Sequence, residues 1–151
     1  KRGIKQVMSK ASMREMIIRH EGFRDEVYLC PTGHPTIGVG HKLTKDDTFK
    51  KGVKYPKETL MKILDTDIAN AEFYSRLLVG SWDLPEVAKE VITMMIFQIG
   101  NHGITKFKKF LKALKEKEYA TAKLEMLDSK WARLDSPHRA KELADIIGNL
   151  K

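Results

Sequence analysis

From Lys57 to Val79 the chain carries one unbroken helical pattern, and this run limits its fold more than any other. Leu60, Leu64, Ile68, Ala71 and Leu78 recur on roughly one face. Pro56 stands where a helix can begin, because the first helical N–H needs no partner inside the helix. A helix of this length spans about 34 Å at 1.5 Å per residue. A chain of 151 residues is expected to be one domain with a real core. Inside such a chain, so long a helix is expected to connect two lobes.

The segments before it alternate between helix and strand signals. Ile4, Val7, Met8 and Ala11 have helical spacing and predict an amphipathic turn or two. Ser12-Met13-Arg14-Glu15 matches a capping box, which predicts a helix from Ser12 through Ile17 and Ile18 to Glu21, stopped by Gly22. Val27 to Cys30 has strand composition, Pro31-Thr32-Gly33 is turn chemistry, and Thr36 to Val39 reads as the returning strand of a hairpin. Gly38 and Gly40 imply close backbone approach, to a substrate or to another element. Thr44 is expected to open a short polar helix ending near Gly52, and Val53 to Tyr55 to add a third short strand.

Beyond the long helix every segment reads as helical. Glu86 to Ile99 is apolar almost all round, marking a buried central helix broken by Gly100 and Gly103. Lys106 to Lys117 is amphipathic, with Phe107, Phe110, Leu111 and Leu114 on one side. Tyr119 to Leu127 follows and leads to Trp131; Ser136-Pro137 forms an N-cap and first-turn pair for a last helix towards Ile147. The expected fold is α+β: a small lobe with a β-hairpin (about 12–56), a connecting helix (about 57–79), a helical lobe (about 80–151) and an N-terminal extension (1–11). A cleft between lobes suits a polymer substrate.

Charge and cysteine content narrow the partners. Twenty-eight basic and 20 acidic residues give a net charge of +8, which favours polyanions such as nucleic acid, anionic lipid or an acidic cell-wall polymer. The single cysteine excludes an internal disulfide, so packing alone must hold the fold, as suits synthesis in a reducing cytoplasm. The longest apolar run, Val91 to Ile99, is interrupted by Thr93 and Gln98 and is too short to span a bilayer, so no stable membrane insertion is expected. The chain opens on Lys1 rather than Met, which reads as a processed or partial chain. Met16-Ile17-Ile18 is too short for a signal-peptide core, so an extracellular target would require delivery by something else.

One stretch gathers reactive side chains: Glu21-Gly22, then Cys30, then Thr36-Ile37-Gly38-Val39-Gly40-His41. A carboxyl packed among apolar groups at a helix end stays protonated near neutrality, as a general acid must. Taken alone, Glu21 reads more simply as a surface glutamate. The Thr-Ile-Gly-Val-Gly-His segment is not a nucleotide-binding glycine pattern, because its spacing differs and it lies on a strand. Together these residues resemble the phage lysozyme family, glycoside hydrolase family 24. In that family a Glu-Gly ends the first helix, and the second strand of a hairpin reads Thr-Ile-Gly-(Ile/Val)-Gly-His.

The resemblance continues through Phe97-Gln98-Ile99-Gly100, Ser129-Lys130-Trp131 and Ser136-Pro137-His138-Arg139-Ala140-Lys141, with the last two segments one residue further apart here. It covers roughly Ser12 to Ile147. It implies a lysozyme-like two-lobed fold and a muramidase acting on the peptidoglycan glycan strand, with no cofactor, no metal and a monomeric chain. It implies Glu21 as catalytic acid, Thr36 as the threonine that helps place the attacking water, and Arg139 as an arginine approaching the acid. His41 and Asp67 fall on a structural ion pair, and Phe97, Gln98 and Gly40 on substrate-lining positions. Synthesis in the host bacterial cytoplasm is implied, with action on the wall after release by a separate factor or from within a virion.

Cys30 departs from the pattern, since T-even phage enzymes carry aspartate there; some members of the wider family are similar to this chain in having Cys. A thiol with an ordinary pKa near 8.5 is a poor general base unless a positive neighbour lowers it; His34, Arg24 and Lys42 are candidates. Two roles stay open: assisting water in an inverting displacement, or attacking the sugar directly with retention. Cys30, His34 and His41 also form a zinc-type donor set, disfavoured because His41 has a use as partner of Asp67. Asp25, Glu26, Asp46 and Asp47 read as solvated loop charges, Trp131 and Tyr119 as core residues. Lysines 106, 108, 109, 112, 115 and 117 read as a solvated face that also suits an anionic envelope surface. The rival functions are a lytic transglycosylase, which needs only one glutamate, and an inactive glycan-binding or virion module. A nucleic-acid-binding domain lacks any recognition motif, and no nucleic-acid partner is expected.

Overall fold

A computed structural model describes residues 10–151, with side chains from Ser12 onwards. The elements, in order, are helix α1 (Lys10–Glu21), strands β1 (Arg24–Leu29), β2 (Pro35–Gly38) and β3 (His41–Lys42), and helices α2 (Lys57–Val79), α3 (Glu86–Ile104), α4 (Lys108–Lys115) and α5 (Tyr119–Leu127). A π-helical turn (Trp131–Asp135) and helix α6 (Pro137–Gly148) complete the chain. The expected turns around Ile4, Val7 and Met8 lie outside the described residues. The chain forms an α+β fold that divides into two compact units, Lys10–Asn70 and, among the described residues, Ala71–Lys151. The division falls within α2.

In the N-terminal unit the three strands form one antiparallel sheet in the order β1-β2-β3. α1 ends at Glu21 as its glycine stop dictates: Gly22 has φ +76° and its N–H returns to the Ile18 carbonyl at 2.8 Å. The start differs from expectation, because the helix already contains Lys10 and Ala11, so Ser12 lies inside it and not at its cap. The β1–β2 hairpin closes through Cys30 N–H to His34 O (2.9 Å) and Gly33 N–H to Cys30 O (2.7 Å), with Gly33 at φ +83°. That is a three-residue loop, and it places glycine where a left-handed residue is required.

Two expectations for the segment after β3 are corrected. Thr44 does not open a helix. Its N–H donates to Asp47 Oδ2 at 2.8 Å and its hydroxyl accepts from Asp46 N–H at 3.3 Å, so the capping bonds form, but no helix propagates beyond this single turn. Val53 to Tyr55 is not a strand. Tyr55 is pinned by one backbone bond to Asp25 O (3.0 Å), by its hydroxyl accepting from Lys50 N–H (2.7 Å) and by edge contact with Phe49, while the third strand is His41–Lys42. The apolar residues withdrawn from solvent here are Met13, Ile17, Ile37, Val39, Leu60, Leu64 and Ile68.

α2 has the expected bounds. Its buried face runs Leu60, Leu64, Ile68, Ala71, Ser75, Val79, so Val79 takes the place expected of the half-buried Leu78. In the C-terminal unit α3 supplies the continuous buried run Val91–Ile96. Its backbone leaves helical geometry at Gly100 (φ +86°, ψ 159°), whereas Gly103 remains helical. Phe110, Leu111 and Leu114 of α4, Ala122 and Met126 of α5, and Leu143 and Ile147 of α6 are buried, as are Trp131 and Tyr119. Ser136 and Pro137 open α6 as expected, but the Ser136 side chain does not cap it.

Candidate active site

The residues singled out by sequence around the hairpin come together in the N-terminal unit. A recess of about 420 Å³ is lined by Glu21, Cys30, Thr36 and Gly40, together with His20, Gly22, Phe23, Arg24, Tyr28, Pro31 and Lys42. α1 delivers Glu21 at its last residue, β1 leads into Cys30, and β2 carries Thr36. The two glycines of the Thr-Ile-Gly-Val-Gly-His segment have distinct purposes. A Cβ on Gly38 would lie 3.4 Å from Leu60 Cβ, so the strand end packs on α2. A Cβ on Gly40 would lie 2.6 Å from Glu21 Oε1, so the turn passes directly against the acid. Both glycines have positive φ, which disfavours any side chain there.

Thr36 is 2 % exposed, and its hydroxyl donates to His34 O at 2.8 Å. The same hydroxyl is near enough to Cys30 to help lower the thiol pKa. With a single hydrogen it serves one acceptor at a time, and its lone pairs can receive a water O–H.

Cys30 is half-buried and is surrounded by donors. Thr32 Oγ1 lies 3.0 Å from the sulfur, and His34 N–H donates to it at 3.4 Å. The Thr32 hydroxyl is the main cause that lowers the thiol pKa to about 6. Partial burial opposes it, and the His34 and Thr32 amides and the Thr36 hydroxyl add to the lowering. The thiol is therefore mostly thiolate at neutral pH. The expected cationic neighbours do not supply this effect: neutral dipoles aimed at the sulfur do, and the His34 ring turns instead to Leu43 O at 3.3 Å.

His41 bridges two carboxylates. Its Nδ1 is 2.7 Å from Asp67 Oδ2 on α2, and its Nε2 is 3.1 Å from Asp47 Oδ2. The Asp67 hydrogen bond raises the His41 pKa against the opposing effect of burial, and the charge of Asp67 and the bond and charge of Asp47 assist. Asp47 is thus not a solvated loop charge. Burial works to raise its pKa, but the Thr44 amide, His41 and the Thr44 hydroxyl together hold it low. The Thr44-x-x-Asp47 spacing was the available signal for this bracket. Among the described residues no group of three or more His, Cys, Asp or Glu side chains could hold a metal ion.

The remaining candidates belong to the C-terminal unit. Phe97 is half-buried on α3. Gln98 donates from Nε2 to Ser136 Oγ at 2.6 Å and accepts from Trp131 Nε1 at 2.8 Å, so its amide ties the π-turn to the start of α6. Arg139 on α6 is buried. Tyr28 escaped notice in the sequence. It stands two residues before Cys30, and strand alternation puts both side chains on one face.

An acid at a helix end, facing a hairpin that carries a thiolate and a buried threonine, within a mostly helical chain, defines a lysozyme-like α+β protein. The chain belongs to the phage lysozyme family, whose pattern, described as Phage lysozyme, matches residues 18–144. It is similar to probable T4-type lysozyme 2 of Dictyostelium discoideum, at 27% identity over 93% of this chain and 97% of that protein. Probable T4-type lysozyme 1 of the same organism is 26% identical over 91% of this chain and 94% of that protein. The pre-baseplate central spike protein Gp5 of Enterobacteria phage T4 is 29% identical over 93% of this chain, which corresponds to 28% of the spike protein.

Proposed function

We propose that the protein is a muramidase that hydrolyses the glycosidic bond between N-acetylmuramic acid and N-acetylglucosamine in peptidoglycan. Family membership supports a lysozyme-like peptidoglycan hydrolase. The observation that carries the finer reading is the meeting of Glu21, Cys30 and Thr36 around one recess. Protonated Glu21 gives its proton to the glycosidic oxygen as the C1–O bond breaks and an oxocarbenium-like centre develops. A water oriented by Thr36 forms the new C1–O bond, and its proton passes to the Cys30 thiolate. No cofactor enters the reaction. Phe97, Gln98 and Gly40 are read as substrate-lining, His41 and Asp67 as supports of the hairpin, and Arg139 as a support of the acid.

Likeness to a virion spike protein supports carriage in a virion as one route to the wall; release by a separate factor is the other. Among the described residues no helix is long and apolar enough to cross a membrane. The exposed lysines of α4 suit an anionic envelope surface, and a monomeric chain suffices for the reaction.

Mass spectrometry of products from purified peptidoglycan tests the reading. Reducing muramic ends are expected, and Glu21→Gln should lower the rate by at least about a thousandfold without changing the melting temperature. Anhydro-muramic ends, one water lighter, would make the protein a lytic transglycosylase. Retained anomeric configuration of the first product by NMR would replace the water-assisting role of Cys30 with direct attack on the sugar. No clearing of walls by the wild-type chain would leave an inactive glycan-binding or virion module.

A further inference from the structure

We infer that Tyr28 is a positioning residue of this reaction, its hydroxyl held in the recess to hydrogen-bond the sugar bound between Glu21 and Cys30, with Arg24 fixing its ring. The inference rests on the muramidase reading above.

Three independent features place Tyr28. In the β1–β2 register it is the cross-strand partner of Thr36, which puts the two side chains on one face of the hairpin. It lines the same recess as Glu21 and Cys30. The Arg24 guanidinium lies over its ring, 4.7 Å from the centroid, and the register irregularity between Arg24 and Tyr28 allows two residues of one strand to stack in this way.

The hydroxyl is suited to donate. Burial is the main cause that raises its pKa, the charge of Glu21 raises it further, Arg24 opposes, and Cys30 adds a smaller upward effect. The phenol therefore keeps its proton at any pH where the acid and thiolate operate, and it lies close enough to feel both. A neutral O–H beside two groups that exchange charge is a donor to sugar hydroxyls that does not compete for the transferred proton. The Arg24 guanidinium keeps this ring from turning away from the recess.

Steady-state kinetics on solubilised peptidoglycan strands provide the test. Tyr28→Phe keeps the ring and its stack on Arg24 and deletes only the hydroxyl. The expected result is a kcat about tenfold lower, with KM within about twofold and an unchanged melting temperature. Arg24→Gln should lower kcat several-fold by loosening the ring, and Arg24→Lys, which keeps a cation over it, should recover most of that loss. Wild-type kcat in Tyr28→Phe, or a loss that tracks melting temperature, overturns the inference while the muramidase reading stands. Absence of Glu21-dependent cleavage in the wild-type chain overturns both.

Discussion

The two compact units are held by different physics. In the C-terminal unit the interior is apolar and continuous, with Val91, Ile92, Met95, Leu114, Leu143 and Ile147 at or near zero exposure. The N-terminal unit buries fewer large side chains. It fixes its backbone through polar bridges and positive-φ glycines: His41 between Asp67 and Asp47, Thr44 capped by Asp47, Gly38 against Leu60 and Gly40 against Glu21. Apolar burial is non-directional and rewards any well-filled core, whereas a hydrogen-bonded bridge also fixes the direction and distance between particular atoms. The reactive groups occupy the unit built by the second method.

Substitution of one residue of each kind gives the largest effects. Gly40→Ala adds a Cβ 2.6 Å from Glu21 Oε1 at φ +65°, so the carboxylate must swing away. The expected outcome is a muramidase rate about a hundredfold lower, with a stability loss of only about 1–2 kcal/mol, read by wall clearing and urea unfolding. Leu143→Ala in α6 should show the reverse: a loss of about 2–5 kcal/mol and near-normal activity per folded molecule. Full activity in Gly40→Ala would break the contrast.

A smaller effect concerns the thiol. Because Cys30 is the one cysteine in the chain, alkylation by iodoacetamide reports on it alone. The rate should rise with pH through a midpoint at about 6. Thr32→Val removes the principal donor to the thiolate and should shift that midpoint upward, towards the ordinary thiol range. The acid limb of the activity profile should move the same way. An unmoved midpoint would show that the hydroxyl does not stabilise the thiolate.

The smallest expected effect is a pH dependence of stability. The folded-state pKa of His41 is raised above 6.5, so the folded chain holds that proton more tightly than the unfolded chain. Its stabilising contribution is complete below 6.5 and disappears as pH rises through the raised value. Asp47 is held below 3.8, so its contribution is present above 3.8 and is lost as pH falls through the lowered value. Urea unfolding should therefore show His41→Gln weaker than wild type by on the order of 1 kcal/mol at about pH 5, with a narrower gap at about pH 9. A gap that widens with pH would remove the charged bridge from the account.

The same contrast explains what could be read from the sequence. Helical periodicity is a local signal, and it gave the bounds of α2 and α5 and the glycine stop of α1. The segment from Thr44 to Tyr55 misled, because its capping chemistry is genuine but its Asp47 carboxylate is claimed by His41, a partner defined only by the fold. The grouping of Glu21, Cys30 and Thr36 was legible from the motif. The state of the thiol was not, since it depends on the orientation of two hydroxyls and two amides. Tyr28 was hidden because a tyrosine in a strand is ordinary composition.

The π-helical turn has a consequence of a different kind. Its defining bond runs from Ser136 N–H to Trp131 O, five residues back, at 2.7 Å. A wider turn takes up one additional residue within a single coil, where an α-helical register would rotate everything downstream by about 100°. Trp131 and Ser136, at the two ends of this turn, both meet the one amide of Gln98. A single turn of wider pitch thus lets two residues five apart in the chain share one partner just ahead of α6.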